Sequence, residues 1–114
     1  MKAIKLYLTA IFGYLTAIFV WIAPTECKIS ILGINYNGNI ATTKSGRTCQ
    51  RWVSNTPHPP SAGVIPKNFP DSSIYEAENK CRNPDREPKG PWCYTMDPAV
   101  RWEYCDIPMC PGWF

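Results

Sequence analysis

The chain has 114 residues, which leaves room for one domain of ordinary size. Twelve Lys and Arg stand against nine Asp and Glu, a formal net charge of +3, and two of the cations, Lys2 and Lys5, fall in the first five residues. The remaining charges of both signs are interspersed, whereas nucleic-acid binding needs clustered positive charge, so no nucleic-acid partner is predicted.

The first predicted element is a secretory signal peptide over residues 1–25. A basic start is followed by an uncharged stretch from Leu6 to Ala23, and Pro24-Thr25-Glu26 ends it, a pattern typical of secretory signals. We place the cleavage after Thr25, to within one or two residues. An uncleaved anchor is the alternative, because the apolar stretch has close to the length that spans a bilayer. With the signal removed, the protein is predicted to be secreted and free of the membrane.

Six cysteines follow the signal: Cys27, Cys49, Cys81, Cys93, Cys105 and Cys110. An even number behind a secretory signal predicts three disulfides, for which 15 pairings exist. A domain of about 90 residues buries only a modest fraction of its surface on folding and often needs disulfides for stability. A zinc site is disfavoured, because only Cys105 and Cys110 have a spacing near that of a zinc knuckle and the chain has one histidine. No metal and no cofactor is predicted.

The region after the signal predicts little helix, because it has no long apolar stretch of period 3.6. Residues 35–39 and 44–47 have the composition of turns, and five prolines between positions 57 and 70 allow only short extended pieces. Near the end, Trp92–Thr95 and Val100–Tyr104 predict two strands. The four residues between them, which include Pro98, predict a turn that joins the strands into a hairpin.

The sequence between Cys27 and Cys110 resembles a kringle domain. The resemblance rests on eight fragments in one order together with all six cysteines. The fragments are YNG (36–38), SGRTCQRW (45–52), TPH (56–58), NFPD (68–71), CRNPD (81–85), GPWCYT (90–95), DPAVRWEYC (97–105) and CDIPMC (105–110). It implies a small disulfide-rich kringle fold over residues 26–110, mostly loops with short antiparallel β-hairpins and little helix. Residues 111–114 are predicted to be a short C-terminal tail.

The resemblance also implies how the cysteines pair, as Cys27–Cys110, Cys49–Cys93 and Cys81–Cys105. Trp52 and Ile74 are then expected to pack around the two inner bridges, and His58 to have a structural, hydrogen-bonded role.

The chain departs from the kringle pattern in two places. Pro60 stands where kringles often carry a second histidine. The segment from Pro59 to Lys80 is longer than in many kringles, and we expect the extra residues in a surface loop near 61–63 or 75–78.

Many kringles, like those of plasminogen, bind lysine side chains and C-terminal lysines. The resemblance places such a site on Asp85, Glu87, Trp92, Tyr94, Arg101 and Trp102. Asp85 and Glu87 would form the anionic end, because residues two apart in an extended segment face the same side and two carboxylates can share one ammonium. The alternative is that they pair with Arg86 and Lys89 as solvated surface charges.

Three aromatic residues, Trp92, Tyr94 and Trp102, would form a trough for the alkyl stem of the lysine. The alternative is that they are simply core. Arg101 would hold a carboxylate of the ligand. Kringles often add a second cation from the middle loop, where this chain has Val64, with Lys67 nearby. We therefore expect only a weak dependence on a ligand carboxylate.

Together these features predict a secreted, single-kringle, monomeric module that is not an enzyme and that binds lysine-bearing extracellular proteins. One histidine and no Gly-x-Ser-x-Gly-like segment cannot supply a catalytic triad. Two alternatives stay open. The module could bind a receptor, a growth factor or an anionic polysaccharide without using the lysine site. The chain could also be a fragment of a larger kringle-containing, protease-like protein.

Overall fold

The computed structural model describes residues 3–11, 14–22 and 26–112. Its first two strands, β1 (Ala3–Ile11) and β2 (Tyr14–Ile22), form an antiparallel pair in which Ala3 lies opposite Ile22. Both lie within the segment predicted as a signal peptide, and the predicted cleavage position after Thr25 is outside the described residues. In the parts of the chain that the structure describes, no helix is long and apolar enough to cross a membrane.

The domain from Cys27 onward is mostly loops, as predicted. Its helical content among the described residues is one turn of 3-10 helix, Pro66–Asn68, and the four-residue α1, Ile74–Ala77. The hydroxyl of Ser73 caps α1 by accepting from the backbone N–H of Glu76 at 3.2 Å. This short helix overlaps residues 75–78, one of the two places where extra loop residues were predicted.

The predicted hairpin is confirmed, with shorter strands than the sequence predicts. Strand β3 (Trp92–Tyr94) pairs antiparallel with β4 (Trp102–Tyr104), so that Trp92 faces Tyr104 and Tyr94 faces Trp102. Beyond β3, the N–H of Thr95 still donates to the carbonyl oxygen of Arg101 at 3.1 Å, and Thr95 also pairs with Cys49 in an isolated bridge. The hairpin is thereby fastened to the neighbouring loop as well as to itself.

Three disulfides join the same pairs that the resemblance implies: Cys27–Cys110, Cys49–Cys93 and Cys81–Cys105. The two inner bonds are in contact, with 3.8 Å between the Sγ atoms of Cys49 and Cys81. The first bond closes nearly the whole domain, since its cysteines are 83 positions apart. Loop-closure estimates give about 3–4.5 kcal/mol for loops of these sizes, so each bond is a large share of a domain's stability.

The core around the inner disulfides is small and aromatic. Trp52 is 1% exposed and meets Phe69 and Trp92 edge to face, with ring centroids 5.0 and 5.1 Å apart. Ile74 is half-buried against this cluster, so Trp52 and Ile74 lie where they were expected. Because Trp92 belongs to strand β3, the core directly supports the hairpin.

His58 is buried and bonded within the domain, in line with the structural role expected of it. Its ring Nε2 lies 2.9 Å from the carbonyl oxygen of Asp97, and its backbone N–H donates to the side chain of Gln50 at 2.9 Å. These contacts tie the loop around His58 to the turn between β3 and β4.

A buried ion pair joins two loops that the sequence does not visibly connect. The guanidinium of Arg82 is 1% exposed and donates to both carboxylate oxygens of Asp71, at 2.9 and 3.0 Å. It also donates to the carbonyl oxygens of Gly38 and Cys81 and lies 5.5 Å from the ring centroid of Tyr36. One side chain therefore holds three separate stretches of loop together.

Candidate functional site

The hairpin carries a row of aromatic rings in mutual contact. The row runs Tyr94, Trp92, Trp102, Tyr104. The distances between successive ring centroids are 5.0, 5.6 and 5.0 Å. All three pairs meet edge to face, a favourable geometry for aromatic rings. Trp92 is only 3% exposed, whereas Trp102 is 39% exposed. Trp92 is thus part of the core as well as of this row, and Trp102 is open to solvent.

Beside these rings is a pocket of about 140 Å³. We call it the aromatic pocket. It is lined by Ser61, Asp85, Glu87, Trp92, Tyr94, Arg101 and Trp102. The fold therefore brings together all six residues that the resemblance proposes for lysine binding, and it adds Ser61.

The carboxylates of Asp85 and Glu87 are positioned by the aromatic residues. Oδ1 of Asp85 accepts from the indole N–H of Trp92 at 2.9 Å, and a carboxylate oxygen of Glu87 accepts from the hydroxyl of Tyr104 at 3.2 Å. Within residues 26–112 neither carboxylate forms an ion pair. Both therefore keep acceptor capacity for a cationic ligand.

The loop that carries these acids is fixed by the side chain of Asn83, which is 2% exposed. Its Oδ1 accepts from the backbone N–H of Glu87 at 2.7 Å, and its Nδ2 donates to the carbonyl oxygens of Glu87 and Leu32 at 3.0 and 2.6 Å. The segment is not extended as the prediction assumed, because Arg86, between Asp85 and Glu87, has a left-handed backbone with φ of 60°, which is uncommon for a residue other than glycine. Asn83 is therefore a positioning residue for the anionic end of the pocket.

Replacing Asn83 by Ala is expected to lower the free energy of unfolding by about 3 kcal/mol, because three hydrogen bonds are lost and buried backbone groups are left without partners. Denaturant unfolding followed by tryptophan fluorescence measures this. Asn55 is exposed, and Asn55→Ala should change stability by less than about 0.5 kcal/mol. A loss below about 1 kcal/mol for Asn83→Ala would show that water replaces its contacts.

The lining of the pocket also includes a cation, Arg101. Arg101 donates from Nη2 to the carbonyl oxygen of Pro59 at 2.7 Å, and its guanidinium lies 4.9 Å from the ring centroid of Tyr94. The hydroxyl of Tyr94 in turn accepts from the backbone N–H of Ser61 at 2.9 Å. Arg101 is therefore held in place beside the pocket.

No second cation lines the aromatic pocket among the described residues. Val64 is partly buried against the core, and Lys67 lines a different cavity. The lining therefore lacks a second cation, as expected from Val64, which stands where kringles often carry that cation.

Two residues of the site, Tyr104 and Ser61, were not predicted. Tyr104 lies two positions after Trp102 on β4, and the two-residue period of a strand places both on one face, so this signal was present in the sequence. Burial and the nearby Glu87 carboxylate raise the pKa of the Tyr104 hydroxyl, which donates to that carboxylate. Ser61 reaches the pocket only through the path of its loop, for which the sequence has no comparable signal.

The four inner cysteines offer no metal site. Their sulfur atoms lie within 4.8 Å of one another, but all four are in disulfides, and a metal ligand must be a free thiolate.

Comparison with known proteins places the chain in a family. The family model described as "Kringle domain" matches residues 27–110. A protein of Homo sapiens named "Putative apolipoprotein(a)-like protein 2" is 45% identical over 102 residues, which cover 84% of this chain and 74% of that protein. Kringle domains are disulfide-rich, non-catalytic modules that occur in extracellular proteins and generally bind other proteins. The chain belongs to the kringle family.

Proposed function

We propose that this kringle binds lysine side chains, including C-terminal lysines, of partner proteins in its aromatic pocket. The observation that carries this proposal is the pair of carboxylates, Asp85 and Glu87, which line one pocket with three aromatic rings and have no ion pair within residues 26–112. A cation with a short alkyl stem complements that combination of charge and apolar surface.

The ammonium of the ligand would be shared by Asp85 and Glu87 through charge-assisted hydrogen bonds. Its alkyl stem would lie against Trp102 and the exposed edge of Trp92, where a cation–π contribution adds to the burial of apolar surface. Arg101 would attract a carboxylate when the lysine is C-terminal. Because Arg101 already donates to Pro59, this last contact is expected to add little, so internal lysines should bind nearly as well.

The expected affinity is modest. Burying a four-carbon stem contributes about 3 kcal/mol at roughly 0.8 kcal/mol per methylene. Partly exposed charge contacts add a few kcal/mol, which places the dissociation constant between about millimolar and micromolar.

We also propose that the protein acts outside the cell, after removal of residues 1–25. The support is the basic and then apolar start of the chain together with three disulfides, which persist in oxidising compartments. Mass spectrometry of the protein recovered from culture medium tests this, and a chain that retains its first 20 residues would contradict it.

The direct test is retention on immobilised lysine and elution by 6-aminohexanoic acid, followed by a titration with the same compound monitored through tryptophan fluorescence. Hexanoic acid, which lacks the amine, is the matched control ligand. Failure of the folded, fully disulfide-bonded protein to be retained would overturn the proposed function.

Replacing Trp102 by Ala is expected to weaken binding of 6-aminohexanoic acid about tenfold or more, because the stem loses its most exposed aromatic wall. Tyr75 is 69% exposed and lies in α1, so Tyr75→Ala is a control that removes an exposed ring outside the pocket. It should bind as the wild type does. Equal affinities for wild type and Trp102→Ala would place the ligand elsewhere.

A further inference from the structure

Asp85 lines a second cavity, of about 390 Å³. We call it the wide pocket. Phe69 forms part of its apolar wall, and its polar lining includes Asn35, Lys67, Asn68, Asp85 and Arg86. The proposed lysine site shares only Asp85 with this cavity.

Four of these polar side chains have no partner within residues 26–112. Asn35, Lys67, Asn68 and Arg86 make no hydrogen bond or ion pair there through their side chains. By contrast, Arg47, Lys80 and Arg82 are each held in an ion pair. Two cations and two amides thus border one cavity, exposed to solvent and without a protein partner within residues 26–112.

The charges of the wide pocket favour a small anion. Lys67 and Arg86 contribute two positive charges and Asp85 one negative charge, so the lining is cationic by a single charge. One carboxylate matches that balance, with the guanidinium fork of Arg86 and the amides of Asn35 and Asn68 as donors. A sulfated polysaccharide carries many charges and is better matched by an extended cationic stripe.

The linings of the two pockets share one residue. Asp85 lines both of them. Behind them the rings of Phe69, Trp52 and Trp92 form a chain of edge-to-face contacts at 5.0 and 5.1 Å, with Phe69 in the wall of the wide pocket and Trp92 in that of the aromatic pocket. A ligand group in either pocket therefore has Asp85 as a neighbour.

Asp85 also couples the two cavities electrostatically. While its carboxylate is unpaired, it repels an anion in the wide pocket. An ammonium bound at Asp85 offsets that charge and so favours the anion, and by reciprocity the anion favours the ammonium.

We propose that the wide pocket binds the carboxylate of an acidic residue on the same partner whose lysine enters the aromatic pocket, and that the two contacts strengthen each other through Asp85. This inference rests on the proposed function and adds the class of partner: a segment in which lysine has an acidic residue close by. Lys67 and Arg86 are the residues that select it.

The test uses capped, flexible peptides that contain one lysine and one glutamate, separated by one to six residues, each matched by a peptide with glutamine in place of glutamate. For at least one spacing, the glutamate peptide is expected to bind about fivefold or more tightly than its glutamine match. Isothermal titration calorimetry of the intact secreted protein measures both affinities.

The decisive variant is Lys67→Gln combined with Arg86→Gln. It should reduce the glutamate advantage to less than about twofold and leave the glutamine peptides within about twofold of wild type. Lys44 and Lys89 are exposed and line neither pocket. The matched control, Lys44→Gln with Lys89→Gln, removes the same charge and should keep the glutamate advantage.

The outcomes separate the two proposals. If glutamate gives no advantage at any spacing while the glutamine peptides bind, the wide-pocket proposal fails and the lysine site stands. If the advantage survives in Lys67→Gln/Arg86→Gln, the acidic residue binds elsewhere and the proposal also fails. A heparin disaccharide that binds the wide pocket more tightly than any peptide would overturn the choice of ligand. If no lysine peptide binds at all, both proposals fail together.

Discussion

Replacing Asp71 by Ala is expected to lower the free energy of unfolding by about 3–5 kcal/mol, the usual cost of removing one partner from a buried ion pair. The reason is the position of Arg82, which is 1% exposed and donates to both oxygens of Asp71 at 2.9 and 3.0 Å. Without Asp71 the guanidinium stays buried and loses the carboxylate to which it is hydrogen-bonded. Against a total stability of about 5–15 kcal/mol, that loss leaves a small margin at 37 °C.

The same prediction specifies what a second substitution should do. Changing Arg82 to Met in the Asp71→Ala background removes the unpaired charge and keeps much of the side chain's volume, so part of the lost stability should return. The recovery should be incomplete, because the carbonyl oxygens of Gly38 and Cys81 also lose a donor.

Denaturant unfolding of the two single variants and the double variant measures this cycle. Glu76→Ala, at an exposed position of α1, is the control for loss of one carboxylate. A cost below about 1 kcal/mol for Asp71→Ala would show that water enters and solvates Arg82.

The hairpin could be predicted from local sequence, whereas the fold as a whole and the cysteine pairing were implied by the resemblance to kringles. The hairpin follows from two short runs of strand-forming residues around a proline-containing turn. Fifteen cysteine pairings were possible from the count alone, and the resemblance to kringles selected the three that the structure contains. The strand ends were less predictable: β3 ends at Tyr94 and β4 begins at Trp102, so both strands are shorter than the sequence predicts.

The contacts that hold the loops could not be predicted in the same way. Asp71 and Arg82 each belong to a fragment that resembles kringles, yet nothing in either fragment says that the two side chains meet. Asn83 bonds to Leu32, a residue 51 positions away, and such a contact depends on the path of two loops. Where loops rather than periodic elements bring residues together, spacing along the chain carries little information.

In the candidate site, too, some features could be predicted from the sequence and others could not. Asp85 and Glu87 lie in one loop, and Trp92, Tyr94 and Trp102 lie on one hairpin, so local pattern and resemblance sufficed to nominate them. The dual position of Trp92 was not foreseen, because the sequence presents core and site as alternatives. In the structure its ring packs on Trp52 and its indole N–H donates to Asp85, so the core itself orients the anionic end of the pocket.

Changing Asp85 to Asn is expected to weaken binding of 6-aminohexanoic acid about 30-fold, which corresponds to roughly 2 kcal/mol. The substitution is close to isosteric. The amide oxygen of asparagine can still accept from the indole N–H of Trp92, now 2.9 Å from Oδ1 of Asp85, so the rings should keep their places. What is lost is the negative charge that shares the ammonium, and with it most of the charge-assisted contact.

Three comparisons test whether the charge of Asp85 is what binds the amine. Adding Glu87→Gln should reduce binding further, to the level of a ligand held only by the aromatic rings. Asp106 is exposed and lines neither pocket, so Asp106→Asn removes the same charge with the same chemistry and should bind within about twofold of wild type. Raising the salt concentration should weaken the wild type more than Asp85→Asn, because screening acts on the charge that the variant lacks. An Asp85→Asn protein that binds within threefold of wild type would show that the carboxylate does not hold the amine.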